Sequence, residues 1–336
     1  MRWLARILKL IGVAATIAIA AGVVAYQQVE KSLAAPLAHG NSAELVVKSG
    51  ENVRTLLTRW QQQGWVESEL WLRLALKLKP QLANIKVGTY QLPEQLTVEQ
   101  ALALLVKGVE AQFSITLVEG GTIKQWLAQI AEHPRLKHTI ESPQALAQAL
   151  KIDQSNPEGW FYPDTYSFNA GSSDLELLTR AHLKMEQELQ RVWQDRQQPL
   201  PLNNAYELLT LASIIEKETA VASERPTVAS VFINRLNKKM RLQTDPTVIY
   251  GVGDAYNGDI TRKHLQTKTP YNTYRIDGLT PTPIANPSLA SIEAAANPAT
   301  SNYLYFVASG DGGHTFSKTL QEHNRAVKRY LALQKQ

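Results

Sequence analysis

The first 26 residues place the hardest constraint on this chain. Ile7 to Tyr26 is apolar or small apart from Lys9 and Thr16. About 20 such residues is the length of a helix that crosses a bilayer core. Lys9 sits near one end, where its long side chain can snorkel to the interface. Arg2, Arg6 and Lys9 precede the run, whereas only Lys31 follows closely, beside Glu30. The positive-inside rule then leaves residues 1–6 in the cytoplasm and exports the rest. The competing reading is a cleaved signal peptide. Ala18-Ile-Ala20 has the small-residue cleavage pattern, but it lies inside the apolar run and not after it, which favours a retained anchor at 7–26.

Behind the anchor, 27–42 is small and polar, with Pro36, Gly40 and Asn41, and reads as a linker. A compact unit follows over 43–110. Glu44 to Lys48 has strand character, Ser49-Gly-Glu-Asn52 a turn, and Val53–Gln63 and Ser68–Leu78 helical apolar spacing. Ile85 to Leu92 reads as a return strand. This strand–helix–helix–strand order resembles a small carbohydrate-binding module of the LysM type. Thr97, with Gln100 three residues on, opens a further helix as a capping box. Phe113 to Val118 alternates like a strand and enters a larger unit, 111–336. The fold class expected is α+β: one transmembrane helix, a small βααβ module and a larger mixed domain.

The larger unit carries the chemistry. In Leu211-Ala-Ser-Ile-Ile-Glu-Lys-Glu-Thr219, the residues Leu208, Leu211 and Ile215 share a helix face, and three residues further on lies Glu218. A carboxylate on a buried stripe is costly to ionise. Its pKa rises, which suits a group that holds a proton near neutrality and then releases it. Glu216, two residues back, points roughly 200° away. The bland alternative is a helix that ends in water with Glu218 solvated.

Three later segments are too polar for core: Leu242–Tyr250 with Gln243, Thr244 and Asp245; Thr269–Tyr274 with Tyr271, Asn272 and Tyr274; and the proline-stiffened Gly278–Pro287. Aromatic faces, amides and hydroxyls of this kind recognise sugars, although Asn272 and Asp245 could equally close turns. Histidines and acids show no metal-ligand spacing, so no metal and no cofactor are expected. Ser213 lacks a nucleophile elbow. With no cysteine in the chain, thiolate chemistry is excluded. The net charge of +5 is mild, and without a basic stripe interleaved with aromatics nucleic acid is not an expected partner.

Ala212–Thr219, Val231-Phe-Ile-Asn-Arg-Leu236, Leu242-Gln-Thr-Asp-Pro246, Pro270-Tyr-Asn-Thr-Tyr274, Gly278–Pro287 and His314-Thr-Phe-Ser317 occur in this order in the YceG-like family, as does Glu158-Gly-Trp-Phe-Tyr-Pro-Asp-Thr-Tyr166. The chain resembles that family over essentially its whole length. One departure is Thr282, where the family's loop pattern has glycine. The resemblance implies cleavage of the β-1,4 bond between N-acetylmuramic acid and N-acetylglucosamine within peptidoglycan strands, leaving a 1,6-anhydro end. It implies Glu218 as the acid and then the base, with Glu216 structural or supportive. Gln243, Asp245, Tyr271, Asn272 and Tyr274 would form the other walls of the cleft. It also implies a single-pass protein of the bacterial inner membrane with its catalytic domain in the periplasm, and cell-wall synthesis enzymes as further partners. Two other readings stand beside it. One is a glycoside hydrolase using Glu218 and Asp245 as a carboxylate pair. The other is a non-catalytic wall-binding protein, which an occluded Glu218 would favour. His314, the one histidine in a matched segment, could contact substrate or serve the hairpin.

Overall fold

The computed structural model describes residues 2–40 and 43–334. Met1 of the expected cytoplasmic end, Asn41 and Ser42 of the expected linker, and the last two residues of the larger unit lie outside them. The chain divides into two compact units, Met1–Phe113 and Ser114–Gln336.

The first unit begins with helix α1, Arg2–Ala34, whose apolar stretch is exposed along its length. The helix does not stop where the linker was expected. Gln27 to Ala34 continue it, and Val29 and Leu33, four residues apart on one face, are fully buried in the core together with Leu37. The small polar composition concealed this i, i+4 pair. Strands β1 (Glu44–Val47) and β2 (Gly88–Gln91) pair antiparallel, with Leu45 opposite Tyr90. Between them lie α2 (Val53–Gln62), capped by Asn52, and α3 (Glu69–Leu78). Helix α4 (Val98–Lys107) carries the Thr97/Gln100 capping box anticipated from the sequence. Leu56, Leu57, Trp60, Leu72, Tyr90, Leu102 and Leu105 fill the interior.

The second unit is mainly helical. Strands β3 (Gln112–Thr116, which straddles the boundary) and β4 (Thr165–Asn169) pair around α5 (Ile123–Ala131) and α6 (Pro143–Leu150). The long α7 (Asp174–Gln194) starts at a Ser173/Glu176 capping box. Helix α8 (Ala205–Glu218) is the centre of the unit: every residue from Leu208 to Ile215 is buried. It packs against α7, α9 (Arg225–Asn237) and α12 (Leu289–Ala296). Ala294, Ala295 and Ala296 leave little between α12 and its neighbours. Helix α10 (Asp245–Val252) starts inside a segment read from the sequence as too polar for core, with Pro246 in its first turn, where its missing N–H costs nothing. The short α11 (Arg262–Gln266) follows. The chain closes with the antiparallel hairpin β5 (Tyr305–Ala308) and β6 (His314–Ser317), on which α13 (Leu320–Leu333) lies.

Candidate active site

Glu218 is the last residue of α8, with Thr219 as its C-cap. It is partly buried, and it lines a cavity of about 330 Å³. Arg235 from α9, Leu242 to Asp245 leading into α10, Tyr274, and Tyr305, Phe306, Leu320 and His323 from the hairpin and α13 complete the wall. Larger depressions exist in the second unit, one of them beside Trp160 and His182, but Glu218 opens only into this one among those described.

Burial pushes the Glu218 carboxyl up from 4.5 to about 7, with the nearby Asp245 charge adding to the rise. The C-terminal end of the α8 dipole also opposes a negative charge there. Against these, the Thr244 hydroxyl donates a hydrogen bond to Oε1, and His314 and Arg235 favour the charged form. The balance leaves the group able to hold or release a proton near neutral pH.

Arg235 is buried, at 7% exposed, and its guanidinium is clamped by oxygens. Nε donates to the Leu304 carbonyl at 2.6 Å, and Nη1 to the Leu242 carbonyl at 2.7 Å and to Gln243 Oε1 at 3.3 Å. Gln243 takes a left-handed backbone, φ 51°, with its N–H donating to the Thr273 carbonyl. A non-glycine residue rarely sits there without a local reason. The left-handed turn accompanies the bond from Arg235 to the glutamine side chain. Tyr274 donates from its hydroxyl to Asp245 Oδ1 at 2.7 Å, so that carboxylate already has a partner.

The structure therefore brings Gln243, Asp245 and Tyr274 to Glu218, but not Tyr271 or Asn272. The Tyr271 hydroxyl lies 2.9 Å from Thr282 Oγ1, and its ring packs against Tyr250. Asn272 is 1% exposed and acts as a hub. Its Nδ2 is directed at the carbonyls of His264, Leu265 and Thr267, and its Oδ1 accepts from the Tyr274 N–H at 3.0 Å. It sets the loop that carries Tyr274 and does not reach the cavity. Thr282 does not have a left-handed backbone, so a side chain fits where glycine was expected, and its hydroxyl donates to the Pro283 carbonyl.

Glu216 faces away, as the helical phase required. Its Oε2 accepts from the Ser288 N–H, Ser288 Oγ and Ser291 Oγ, at the N-terminus of α12. Glu158, quoted from the sequence without a role, is almost fully buried. Ile123 N–H and Asn286 Nδ2 donate to Oε1, and the Tyr250 hydroxyl to Oε2. Burial raises its pKa from 4.5 to about 7. Gly159 beside it has φ 85°, and a Cβ there would lie 2.5 Å from Pro283 Cβ, so the loop closes only around glycine. His314 is not among the residues lining the cavity. Its Nδ1 lies 2.7 Å from Glu224 Oε2, and its backbone N–H donates to Oε1 of the same carboxylate.

Arg235, Tyr305, Phe306 and His323 were not singled out from the sequence, and Thr244 was named there only as a polar neighbour of Gln243 and Asp245, with no signal for its bond to Glu218. Arg235 had a usable signal: it sits on the apolar stripe of Val228, Val231 and Phe232, as Glu218 does on its own. Thr244 had none, because its role depends on meeting α8.

With this geometry in view, residues 45–329 match the YceG-like family, and the chain belongs to that family. A protein of Bacillus subtilis (strain 168) named endolytic murein transglycosylase is 32% identical over 323 residues, covering 90% of this chain and 89% of that one. A protein of the same name from Streptococcus pneumoniae (strain ATCC BAA-255 / R6) is 28% identical over 351 residues. That match takes in 93% of this chain and 63% of the longer relative. Among solved structures, a YceG-like protein from Listeria monocytogenes superposes with a TM-score of 0.53 at 30% identity, over 85% of this chain and 98% of that one.

Proposed function

We propose that this chain is an endolytic lytic transglycosylase of peptidoglycan, with Glu218 as its single acid and base. The family and the names of its relatives support the activity. The observation that carries the residue assignment is the placement of Glu218: partly enclosed, held by Thr244, raised to about 7 and open to a polar cavity.

In the reaction, protonated Glu218 gives its proton to the glycosidic oxygen as the bond from muramyl C1 to that oxygen breaks. The oxocarbenium-like centre is stabilised by the substrate's acetamido group and by nearby dipoles. The Glu218 carboxylate then takes the proton of the muramyl C6 hydroxyl as that oxygen bonds to C1. The leaving strand gains a free 4-hydroxyl, the other ends in a 1,6-anhydro ring, and Glu218 is protonated again. No water is consumed, so sugar placement matters more than water activation. Thr244 holds the carboxylate, Arg235 supplies a fixed positive charge, and Gln243, Asp245 and Tyr274 face the sugars. Cleavage within strands limits or terminates nascent glycan.

A hydrolase using Asp245 as the second carboxylate remains the other reading, because Asp245 lines the same cavity. The Tyr274 hydroxyl bound to it weighs against that role. Digestion of purified peptidoglycan followed by mass spectrometry separates the two: anhydro ends support the lyase, and reducing muramic ends the hydrolase. Glu218→Gln should abolish cleavage with an unchanged far-UV circular dichroism spectrum. Full cleavage by that variant refutes the assignment.

The organisation proposed with this activity is an anchor over 7–26 in the inner membrane and a LysM-like glycan-binding module over 43–110. The catalytic domain, 111–336, lies in the periplasm. Support comes from the one helix among the described residues long and apolar enough to cross a membrane, and from the charges that flank it. Wall-synthesis enzymes are the partners this placement suggests.

A further inference from the structure

Almost no spacer separates the apolar run from the folded part of the first unit. The run ends at Tyr26, and Val29 is already 1% exposed. Glu30 lies one helical turn beyond Tyr26, about 6 Å along the axis. The polar layer on each side of a bilayer has a similar depth, roughly 5–8 Å. Whatever packs on α1 at Glu30 therefore lies at the level of the headgroups.

The side chain that packs there is Lys79, directly after the last residue of α3. Its Nζ lies 3.3 Å from Glu30 Oε1 and 2.9 Å from Glu99 Oε1. In the segment that leads into α3, four residues before Glu69, the Trp65 carbonyl accepts from the N–H of Ala38, four residues past the end of α1. Helix α3 thus starts beside the far end of α1 and runs back toward the bilayer. Its membrane-side end exposes Leu78 (53%) and Lys77, and Lys31 is exposed on α1 next to Glu30. Glu30 and Glu99 are both taken by Lys79, whereas Lys31 and Lys77 meet no carboxylate among the described residues. Leu70, 66% exposed, lies eight residues back along α3, about 12 Å further from the membrane.

We propose that this end of α3 rests in the bilayer surface. Leu78 lies among the headgroups, and Lys31 and Lys77 meet the phosphates of anionic phospholipids, an arrangement typical of basic and apolar groups at an interface. The inference rests on reading α1 as a membrane span.

The chain has no cysteine, so a single introduced cysteine labels one site. Ile17→Cys, Leu78→Cys and Leu70→Cys all fall at exposed positions. Each full-length variant carries an environment-sensitive fluorophore in nanodiscs of phosphatidylethanolamine and phosphatidylglycerol. Quenching is read from nitroxides placed on lipid headgroups, nitroxides placed on acyl chains, and iodide in water. The Ile17 label should respond to the acyl nitroxide alone. The Leu78 label should be quenched by headgroup nitroxide at least threefold more than the Leu70 label. Lys31→Gln with Lys77→Gln should reduce the Leu78 signal in anionic nanodiscs but not in phosphatidylcholine ones. Equal access of iodide to the Leu78 and Leu70 labels, with Ile17 buried in lipid, overturns the docking while leaving the span in place. Iodide access to Ile17 as well removes the span and the docking with it. An unchanged Leu78 signal in the double lysine variant overturns the pairing with anionic headgroups.

Discussion

Replacing Thr244 by valine removes one hydroxyl and keeps the shape of the side chain. In the structure that hydroxyl donates to Glu218 Oε1, and Thr244 is 2% exposed. A hydrogen bond to a charged group contributes about 1.5–3 kcal/mol. It favours the carboxylate over the acid, so its loss raises the Glu218 pKa above its value of about 7. At 1.36 kcal/mol per pH unit, the rise is roughly one to two pH units. Glu218 must begin the reaction protonated, so kcat/KM falls as pH climbs through this pKa. The assay is release of anhydro-ended fragments from purified glycan strands between pH 5 and 10, with folding followed by thermal melts. The descending limb of the T244V profile should lie one to two pH units above that of the parent. A limb that stays in place, or moves to lower pH, refutes the idea that Thr244 sets the proton affinity of Glu218.

Asp245→Asn should move the same limb the other way, because the Asp245 charge raises the Glu218 pKa; products should keep anhydro ends, and complete loss of cleavage would instead point to a second catalytic carboxylate. Glu158 has a folded pKa of about 7 against an ordinary 4.5, so its contribution to stability is full below about 4.5 and is lost as pH rises through 7. Glu158→Gln should flatten the fall in denaturant-measured stability between pH 5 and 8 by up to about 3 kcal/mol, and an identical pH dependence in variant and parent would contradict this. Asn272→Ala leaves three loop carbonyls and the Tyr274 N–H without their partner, and should cost about 2–3 kcal/mol in urea unfolding. It should also lower cleavage through Tyr274, and wild-type stability would show that the hub is dispensable.

Periodicity in the sequence carried the reading where burial is local. Leu208, Leu211 and Ile215 are buried as their spacing required, although α8 is enclosed on all sides from Leu208 to Ile215, and the same count leads to Glu218 in its cavity and turns Glu216 toward Ser288. Composition misled where a helix was short of apolar residues: Gln27 to Ala34 look like linker, yet Val29 and Leu33 anchor them in a core. The loop residues were the least legible. Asn272 and Tyr274 are two positions apart and both polar, but one serves three carbonyls and the other meets Asp245. That division depends on where α10 and α11 fold back, and no local pattern encodes it. Tyr305 and His323 reach the cavity from segments roughly a hundred residues beyond Glu218, through the packing of the hairpin against α9 and of α13 on the hairpin.

The unbroken course of α1 from the apolar run into a folded core makes azimuth a matter of residue count. Adding one residue between Tyr26 and Val29 would turn the first unit by about 100° about the helix axis and lift it by ~1.5 Å. Seven added residues would return it to within about 20° of its original heading, yet ~10 Å higher. A lone span turns freely about its own axis in the bilayer, so height above the membrane, set like the pitch of a screw thread by the backbone, is what such an insertion would change.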